Sequence, residues 1–550
     1  MNRVSDFLST FGGKPPVCSC RAGAWQGFPS QSFEDDEWTF WIFGETFPRC
    51  QTAADARAFR NGHFLIWGWN KKHREYHAWT DRFGTLHGYY ADDGQRRALG
   101  THFQSVAKAA SRGELDWEAL AGFFSFGFFP GDRTYYKDLK ILRPASHYVF
   151  DFEGRLKSRE RYWKWHYEPN LKRSYEETVL EFGRLFNRVV EDQTRDEKIA
   201  IPVSGGLDSR STVAGLQGKF WAYSYGYHKN SEETKIAQKV AHARGLDFQA
   251  FTIEPYLFEK LDGILSCTEG FQDVTQCRQA FVTEELEKHG NYVLAAHWGD
   301  VWMDGMLDHR PPTLDHRQIL NDVVKKIQKK GGDWLVENLC QSRLGNQNPK
   351  EFLRGMISDE LKEFDAIEDP DFKMKAFKTD HWSFRWTCAS LRMFQAAAFP
   401  RLPFYDNRLT DFFCTVPADF VRGRRLQIDY LKRFAPDLAH IEWQPYGANL
   451  YQYQRSNSLS LPERIFKKLA RMISGKKIIQ RNWERQFLND KGKKGLETHL
   501  LREGLKIHEF VALSKMKALV SDLYQNPNAE NGYRVSMLLT FSSWLEKYHV

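Results

Sequence analysis

The chain has 550 residues with 42% hydrophobic and 15% aromatic content, which suffices for about two to four domains with sizeable cores. Its net charge of +8 is modest for this length and does not indicate a nucleic-acid partner, and no run approaches the ~20 apolar residues of a transmembrane helix. Because residues 1–13 lack the apolar core of a signal peptide and the eight cysteines form no C-x-x-C pair, we expect a cytoplasmic protein with buried thiols.

Residues 1 to about 165 are rich in aromatic and β-branched residues and predict a β-rich domain. Three runs, residues 37–43, 63–69 and 75–79, predict strands. The short polar turn between the last two runs is typical of a β-hairpin.

Two strings in this domain carry a family resemblance. Asn61-Gly-His-Phe64 and Asp81-Arg-Phe-Gly-Thr-Leu-His-Gly-Tyr-Tyr90 resemble the glutaminase domain of class II amidotransferases, although the order of Arg and Asp is swapped and a Pro is absent. In that family the nucleophile is an N-terminal Cys, whose thiol uses a free α-amine as its base. This sequence begins with Met1, and Cys18 and Cys20 are internal. We therefore expect a glutaminase-like β-sandwich that has lost glutaminase chemistry.

The most informative stretch follows a predicted helix. Ser174-Tyr-Glu-Glu177 is a capping box, and the apolar residues after it keep helical spacing. Residues 199–201 then predict a short strand, with Pro202 at its C-terminal edge because proline cannot donate to a strand ladder. The segment Ser204-Gly-Gly-Leu-Asp-Ser209 predicts a glycine turn and the first turn of the next helix.

This loop has the composition of an anion site. Its two glycines let the backbone approach a ligand, its two serines supply hydroxyl donors, and a helix start offers free N–H groups. Asp208 does not suit a bare phosphate, but it suits a phosphate that arrives with Mg²⁺. A nucleotide polyphosphate with Mg²⁺ is therefore predicted, and a glycine turn without a ligand is the alternative. The expected contacts are Val203, Ser204, Gly205, Gly206, Leu207, Asp208 and Ser209.

Strands and helices alternate after the loop. Residues 220–227 predict a strand, 231–245 a capped helix and 248–253 another strand, which together indicate a doubly wound parallel sheet with its ligand at the strands' C-terminal ends. The string Ser-Gly-Gly-x-Asp-Ser resembles the pyrophosphate loop of the N-type ATP pyrophosphatases, and the whole unit resembles asparagine synthetases. The resemblance implies ATP as the nucleotide, with its adenine read near Tyr225, although core packing is the simpler role for that ring.

A second acidic loop follows further along the chain. Residues 297–305 resemble the family's loop G-E-G-S-D-E-V-F-G-G, which places its metal-binding Asp at Asp300. Asp208 and Asp300 are thus expected to hold Mg²⁺ together. The same alignment puts Trp298 and Gly299 beside the nucleotide, and His297 is expected to be a packed, non-catalytic side chain.

Three further residues become candidate catalytic groups through the resemblance. Glu269 matches a family Glu near the reacting amine, and a solvated helix flank is its alternative. Arg401 opens the string Arg401-Leu-Pro-Phe-Tyr-Asp406, which resembles R-x-P-F-x-D; it can neutralise a phosphate or carboxylate, or pair structurally with Asp406. Tyr446 stands where asparagine and β-lactam synthetases carry a Lys, so another cation or a different acceptor chemistry is expected.

The domain boundaries follow from these segments. We expect a glutaminase-like domain over residues 1–168, an asparagine synthetase-like ATP pyrophosphatase domain over 169–455 and a helical, basic extension over 456–550. The basic residues from Arg464 to Arg485 alternate with apolar residues at helical spacing, which is typical of a solvated face and less often of a membrane or partner surface.

The chain is interpreted as an α/β protein that resembles the asparagine synthetase family, including relatives with a degenerate glutaminase site such as β-lactam synthetases and lasso-peptide cyclases. The resemblance implies an ATP- and Mg²⁺-dependent ligase that adenylates a carboxylate, releases pyrophosphate and transfers the acyl group to ammonia or an amine, releasing AMP. A glutamine-hydrolysing asparagine synthase proper and a non-catalytic nucleotide-binding scaffold are the alternatives. No nucleic-acid partner and no transmembrane segment are expected, and the interpretation allows a homodimer.

Overall fold

The computed structural model describes residues 2–4, 6–11, 17–21, 28–58, 61–195, 197–307, 315–345, 347–454 and 479–549. Antiparallel sheets occupy the first part of the chain, and a parallel sheet surrounded by helices follows. The predicted mixed α/β class, with a parallel sheet, is confirmed. Among the described helices, none combines the length and the apolar character needed to cross a bilayer.

The antiparallel strands form two sheets. They are β1 (Asn2–Val4), β2 (Asp6–Phe11), β3 (Val17–Arg21), β4 (Phe28–Glu34), β5 (Trp38–Thr46), β6 (Gly62–Asn70), β7 (Glu75–Thr80), β8 (Tyr89–Asp92), β9 (Arg97–Gly100), β10 (Leu139–Ile141), β11 (Ser146–Phe150) and β12 (Leu156–Arg161). Within the described residues, one sheet has the order β1-β4-β5-β6-β7-β11-β12 and the other β10-β8-β9-β2-β3.

The aromatic runs of the sequence form the middle of the larger sheet. The predicted strands at residues 37–43, 63–69 and 75–79 are confirmed as β5, β6 and β7. Successive side chains of β6 point to opposite faces. Leu65 and Trp67 belong to the main core, whereas Phe64 and Ile66 belong to a smaller core that includes the helix Ala53–Ala58. Because both faces are covered, this strand is apolar along nearly its whole length.

The parallel strands form a doubly wound sheet. They are β13 (Ile199–Pro202), β14 (Trp221–Gly226), β15 (Asp247–Thr252), β16 (Tyr292–Leu294) and β17 (Phe399–Arg401). Their order is β15-β14-β13-β16-β17, and every neighbouring pair is parallel. The chain therefore builds outward from β13 in one direction and then returns to place β16 on its other side. A crevice forms where the strand order reverses, at the C-terminal ends of β13 and β16.

The helices have the following bounds. The described α-helices are α1 (Ala53–Ala58), α2 (Phe103–Ala110), α3 (Trp117–Phe126), α4 (Tyr175–Thr194), α5 (Leu207–Gly215), α6 (Glu232–Ala243), α7 (Leu257–Thr268), α8 (Thr283–His289), α9 (Gly299–Trp302), α10 (His316–Ile327), α11 (Gly332–Leu335), α12 (Pro349–Leu361), α13 (Pro370–Phe377), α14 (Cys388–Leu391), α15 (Asn407–Phe413), α16 (Ala418–Val421), α17 (Arg425–Phe434), α18 (Pro436–Ala439), α19 (Asn482–Phe487), α20 (Asp490–Leu496), α21 (Leu513–Gln525) and α22 (Ala529–Tyr548).

Several local predictions can be compared with these bounds. The capping box at Ser174 and Glu177 is confirmed at the start of α4, and Pro202 ends β13 as expected. The stretch around Ala280 consists of short 3₁₀ turns that precede α8. The basic segment from Arg464 lies outside the described residues up to residue 478.

The C-terminal helix packs on the antiparallel part of the chain. The rings of Trp544 and Tyr135 stack with centroids 3.8 Å apart, and the hydroxyl of Tyr135 donates to the carbonyl of Gly270 at 2.6 Å. Burial of such large rings is a strong apolar contribution to stability. The helix α22 therefore shares one core with the antiparallel part of the chain and with the segment that follows α7.

Candidate functional site

The loop between β13 and α5 is held closed by its own serines. The Ser204 N–H donates to the Ser209 hydroxyl at 3.0 Å, and the Gly206 N–H donates to the Ser204 hydroxyl at 3.2 Å. A Cβ atom at Gly205 would lie 2.5 Å from Oε1 of Gln444, so only glycine lets this neighbour approach so closely. The helix α5 begins without a side-chain cap. Its first N–H groups are therefore suited to an anionic ligand.

A cavity of about 500 Å³ opens beside this loop, at the C-terminal ends of β13, β14 and β16. We call it the loop cavity. It is lined by Pro202, Val203, Ser204, Asp208, Ser209, Tyr223, Ser224, Tyr225, Glu233, Arg278, Ala296, His297, Trp298, Asp300, Val301, Lys378, Trp382, Trp386 and Thr387. Its place in the sheet is the crevice at the switch point, where ligands of doubly wound folds bind.

Most residues expected at the nucleotide lie in or against this cavity. Val203, Ser204, Asp208, Ser209, Tyr225, Trp298 and Asp300 line it. Gly205, Gly206 and Leu207 form the loop behind it. Gly299 also belongs to it, since a Cβ atom there would lie 2.7 Å from Cγ of Asp208. The two acidic loops thus meet as the sequence predicted, and their roles in binding stay a proposal.

The two aspartates of the loop cavity influence each other. Burial raises the pKa of Asp208, the charge of Arg424 opposes this rise, and the charge of Asp300 adds to it. Asp208 accepts hydrogen bonds from Arg424 at 2.7 Å and Gln427 at 3.0 Å, both at Oδ1. Its other oxygen has no partner among the described residues. The two carboxylates therefore repel each other, and a cation between them would relieve this repulsion.

Cations and aromatic rings form another part of the cavity wall. The Lys378 ammonium lies 5.5 Å from the ring centroid of Trp298 and 4.9 Å from that of Trp382. Burial lowers the pKa of Lys378, while the charge of Asp300 opposes this effect. Arg278 lies over Tyr225 at 6.0 Å. The lining of the cavity thus contains positive charge as well as carboxylates.

The backbone explains how one helical stretch supplies this wall. Lys378–Thr387 is π-helical, and the N–H of Cys388 donates to the carbonyl of Ser383, five residues earlier. Lys378, Trp382 and Trp386 follow each other at intervals of four residues and all face the cavity. π-Helical segments are rare and frequently mark functional sites.

His297 and Trp298 occupy the turn that follows β16. His297 lines the cavity instead of packing in the core, and its Nδ1 has no hydrogen-bond partner within the described part of the chain. Burial lowers the pKa of His297 to about 4, so its ring is neutral at pH 7. Trp298 has a left-handed backbone, with φ of 79°, and its indole N–H donates to Thr379 at 2.9 Å.

Glu269 does not line the loop cavity, and the solvated position considered for it is wrong. Its side chain is fully buried and forms ion pairs with Arg392 at 2.8 Å and His102 at 3.0 Å. It also accepts the N–H groups of Phe103 and Gln104 at the start of α2. Burial alone would raise the pKa of Glu269, but the charges of His102 and Arg392 lower it to about 2.

Arg401 also lies away from the loop cavity, and the expected pair with Asp406 is wrong. The guanidinium makes a bidentate pair with Glu45, at 2.8 and 3.0 Å, and donates to the carbonyl of Gln193 at 2.7 Å. Asp406 instead pairs with Arg408 at 2.9 Å. Arg401 thus joins the antiparallel strand β5 to the edge strand β17, with the side chain 2% exposed.

Tyr446 packs on aromatic neighbours outside the loop cavity. Its ring centroid lies 4.5 Å from that of Trp443 and 5.3 Å from that of Tyr453. Gln444 from the same turn contacts the loop between β13 and α5 at Gly205. The segment therefore borders the loop, but it brings no cation to the lining of the cavity.

Comparison with known proteins agrees with this geometry. Residues 181–443 match the family model described as asparagine synthase. The chain is 24% identical to asparagine synthetase [glutamine-hydrolyzing] 1 of Bacillus subtilis over 266 residues, 47% of this chain and 42% of that protein. It is 25% identical to putative asparagine synthetase [glutamine-hydrolyzing] 2 of Methanocaldococcus jannaschii over 243 residues, 42% of this chain and 46% of that protein.

The chain therefore contains an asparagine synthase family domain with weak homology to asparagine synthetases. Its matches span less than half the length of these curated relatives. The loop, both aspartates and Arg401 lie inside the matched region. The activity of the whole protein is treated below as a proposal.

Sequence reasoning missed the cations of the cavity. Lys378 and Arg278 were not singled out, because lysines and arginines are common on solvated helix faces. The spacing of Lys378, Trp382 and Trp386 on one helix was a usable signal, since residues four apart share a face. Arg424 gave no local signal, because it reaches Asp208 only through the tertiary fold.

Proposed function

We propose that this protein is an ATP-dependent ligase that adenylates a carboxylate and transfers the acyl group to ammonia or an amine. The observation that carries the proposal is the loop cavity. It combines an open helix start, two serine hydroxyls, two aspartates and a buried lysine at the switch point of a parallel sheet. The family domain supports ATP as the nucleotide.

Mg²⁺ fits the acidic side of the cavity. In proteins it takes oxygen ligands and is often held by one or two carboxylates together with substrate phosphates. Asp208 has an oxygen without a described partner, and burial, together with the charge of Asp300, raises the pKa of its carboxyl group. The described residues contain no group of three or more potential metal ligands. When bound, Mg²⁺ would neutralise phosphate charge between Asp208 and Asp300.

The residues of the cavity have distinct parts in the first step. The substrate carboxylate attacks the α-phosphorus of ATP, and the bond to pyrophosphate breaks. The N–H groups of the first turn of α5, which has no side-chain cap, orient the phosphates. Lys378 and Arg278 stabilise the negative charge that develops on the phosphate oxygens. Such reactions depend mainly on positioning and electrostatics.

In the second step an amine attacks the acyl carbon and AMP leaves. The leaving phosphate needs a cation, and Tyr446 cannot provide one. Lys378 is the cation of the cavity that we assign to this task, because its ammonium lies among Trp298, Trp382 and the Asp300 loop. Free ammonia or an amine as the nitrogen source, without glutamine hydrolysis, stays a prediction. Stoichiometric release of glutamate from glutamine by the purified protein would contradict it.

The first test measures carboxylate-dependent exchange of pyrophosphate into ATP and, separately, binding of a non-hydrolysable ATP analogue with Mg²⁺. We expect both in the wild-type protein and loss of both in Asp208→Asn. Asp359→Asn is the matched control, since Asp359 is exposed and pairs only with Lys362 at the surface. Absence of analogue binding in the wild type would refute the proposal.

A non-catalytic nucleotide-binding scaffold is the second candidate. The ion pair between Arg424 and Asp208 favours it, because a permanent pair would compete with Mg²⁺. This candidate predicts analogue binding without any AMP production. Arg424→Gln separates the two functions. If the protein is a ligase and the ion pair inhibits it, the variant should bind the analogue with Mg²⁺ more tightly. If the protein is a scaffold, the variant should still produce no AMP.

A further inference from the structure

A second cavity, of about 320 Å³, adjoins the loop cavity. We call it the C-terminal cavity, because the segments 481–483 and 529–536 form much of its wall. Trp386 lines both cavities, so the two share one tryptophan as a partition. The C-terminal segments lie outside the residues 181–443 that match the family model. This part of the chain therefore adds a feature that the shared domain does not include.

The carboxylate of this cavity is already engaged. The carboxylate of Asp273 accepts the N–H and the hydroxyl of Thr275, both at 2.8 Å, and the hydroxyl of Ser536 at 2.9 Å. The hydroxyl of Tyr533 donates to the carbonyl of Phe124 at 3.0 Å. Asp273 is also 4% exposed. It is consequently a poor partner for a cationic ligand.

The donors of the same wall are not engaged. Lys329, Lys330 and Arg481 line the cavity without an ion pair among the described residues. The indole N–H of Trp483, a residue 6% exposed, has no hydrogen-bond acceptor there either. A buried donor without an acceptor costs free energy, so a ligand that supplies acceptors would be stabilised at this position. The cavity thus offers cations and an unpaired N–H donor to an anionic ligand.

Lys329 lies beside the tryptophan rings that also line the loop cavity. Its ammonium lies 4.6 Å from the ring centroid of Trp382 and 5.7 Å from that of Trp386. Lys378 lies on the loop-cavity side, 4.9 Å from the same Trp382 ring. Burial lowers the pKa of Lys329 to about 8, with the charge of Asp273 opposing and that of Lys378 adding to the effect. Two ammonium groups thus flank one tryptophan wall, and an anion near it would relieve their repulsion.

We propose that the C-terminal cavity binds a distal anionic group, a carboxylate or phosphate, of a substrate whose reacting group lies in the loop cavity. The proposal rests on the ligase function proposed above. Lys329 and Arg481 hold the anion, Trp483 donates a hydrogen bond, and the rings of Trp386 and Tyr533 contact the body of the substrate. The anion belongs either to the carboxylate that is adenylated or to the amine acceptor.

The test uses simple probes and the full chain. Terephthalate, a dianion, is compared with the neutral terephthalamide and the cationic p-xylylenediamine by tryptophan fluorescence, in the presence of a non-hydrolysable ATP analogue with Mg²⁺. We expect terephthalate to bind most tightly, Lys329→Gln to weaken it about tenfold, and Lys329→Arg to retain most of the affinity. Lys325→Gln, in the helix α10 that ends two residues before Lys329, is the matched control, since Lys325 is exposed and does not line the cavity.

The outcomes separate this proposal from the ligase function. Equal affinity for terephthalate and terephthalamide, or unchanged affinity in Lys329→Gln, would overturn the anion site. Terephthalate binding without binding of the ATP analogue, measured by calorimetry, would refute the ligase and keep the anion site. Once a carboxylate substrate is found, a defect of Lys329→Gln in pyrophosphate exchange assigns the anion to the carboxylate substrate. If Lys329→Gln is defective only in the release of AMP on adding the amine acceptor, the anion belongs to the acceptor. Unaltered kinetics in both steps would contradict the proposed role of the cavity.

Discussion

The charged residues of the loop cavity differ from the buried charges that join the antiparallel part of the chain to its parallel-sheet part. Arg401 and Glu269 are such buried charges, and their polar atoms are engaged by opposite charges, carbonyls and N–H groups. In the loop cavity, Asp300 is exposed and an oxygen of Asp208 has no described partner. Lys378 rests mainly on aromatic rings.

Motifs that resemble one family thus contain both fully paired charges and charges that retain an unpaired polar atom. Asp208, Asp300 and Arg401 all come from strings that resemble one family, yet only the two aspartates keep capacity for a ligand. A fully paired buried charge is bound to its partners, and removing one partner leaves the other without compensation. A charged group with an unpaired polar atom lowers the stability of the fold, and it is retained where a ligand pairs with that atom.

The largest effect is expected at Arg401. Arg401→Met leaves the Glu45 carboxylate buried and without its bidentate partner, so we expect a loss of about 3–5 kcal/mol in unfolding free energy. Chemical denaturation measures it. Arg433→Met is the matched control, because Arg433 and Glu176 form an exposed pair, worth about 0–1 kcal/mol. If Arg401→Met is as stable as the control but inactive, Arg401 acts on the substrate and is not a structural charge.

The opposite result is expected for Asp300. Asp300→Asn should reduce pyrophosphate exchange about a hundredfold to a thousandfold, because half of the acidic pair is lost. Its melting temperature should stay the same, since Asp300 is exposed. The pKa of Asp208 should also fall, because Asp300 no longer raises it. A melting temperature as low as that of Arg401→Met would place Asp300 among the structural charges.

The sequence predicted the parts of the fold that depend on local pattern. The aromatic runs, the capping box at Ser174, the loop after β13 and the parallel strands follow from spacing and glycine placement. The sequence did not show which charges would be neutralised, because the partners are far apart in the chain. Glu45 and Arg401 are 356 residues apart, and Glu269 and Arg392 are 123 apart. Whether a charge is spare or paired is decided by such long-range contacts.

The pH dependence of stability tests the paired charges directly. The pKa of Glu269 is lowered to about 2 from its ordinary 4.5, so its carboxylate stabilises the fold fully above pH 4.5 and loses this effect as the pH falls towards 2. His102 and Arg392 stay protonated throughout this range. We expect the wild type to lose about 3 kcal/mol more than Glu269→Gln between pH 5 and pH 2.

Circular dichroism melts at a series of pH values measure this difference. Glu368→Gln is the control, since Glu368 is exposed and should follow the wild type. Identical pH dependence in Glu269→Gln and the wild type would show that Glu269 is not held as an ion in the folded protein.

The smallest effect is expected at Lys378, and it distinguishes most clearly between a paired structural charge and a charge that is kept for a ligand. Lys378→Met keeps the length of the side chain and removes a charge that is buried among Trp298 and Trp382. We expect amide formation to fall about thirtyfold, because the phosphate charge loses its cation, while Lys378→Arg keeps part of the activity.

The melting temperature should be unchanged or higher, because a desolvated ammonium without an ion-pair partner in the described residues is itself costly. A charge whose removal lowers activity without lowering stability is one that the fold keeps for a ligand. If Lys378→Met instead melts earlier and retains its activity, Lys378 belongs with Arg401, and another cation must serve the cavity.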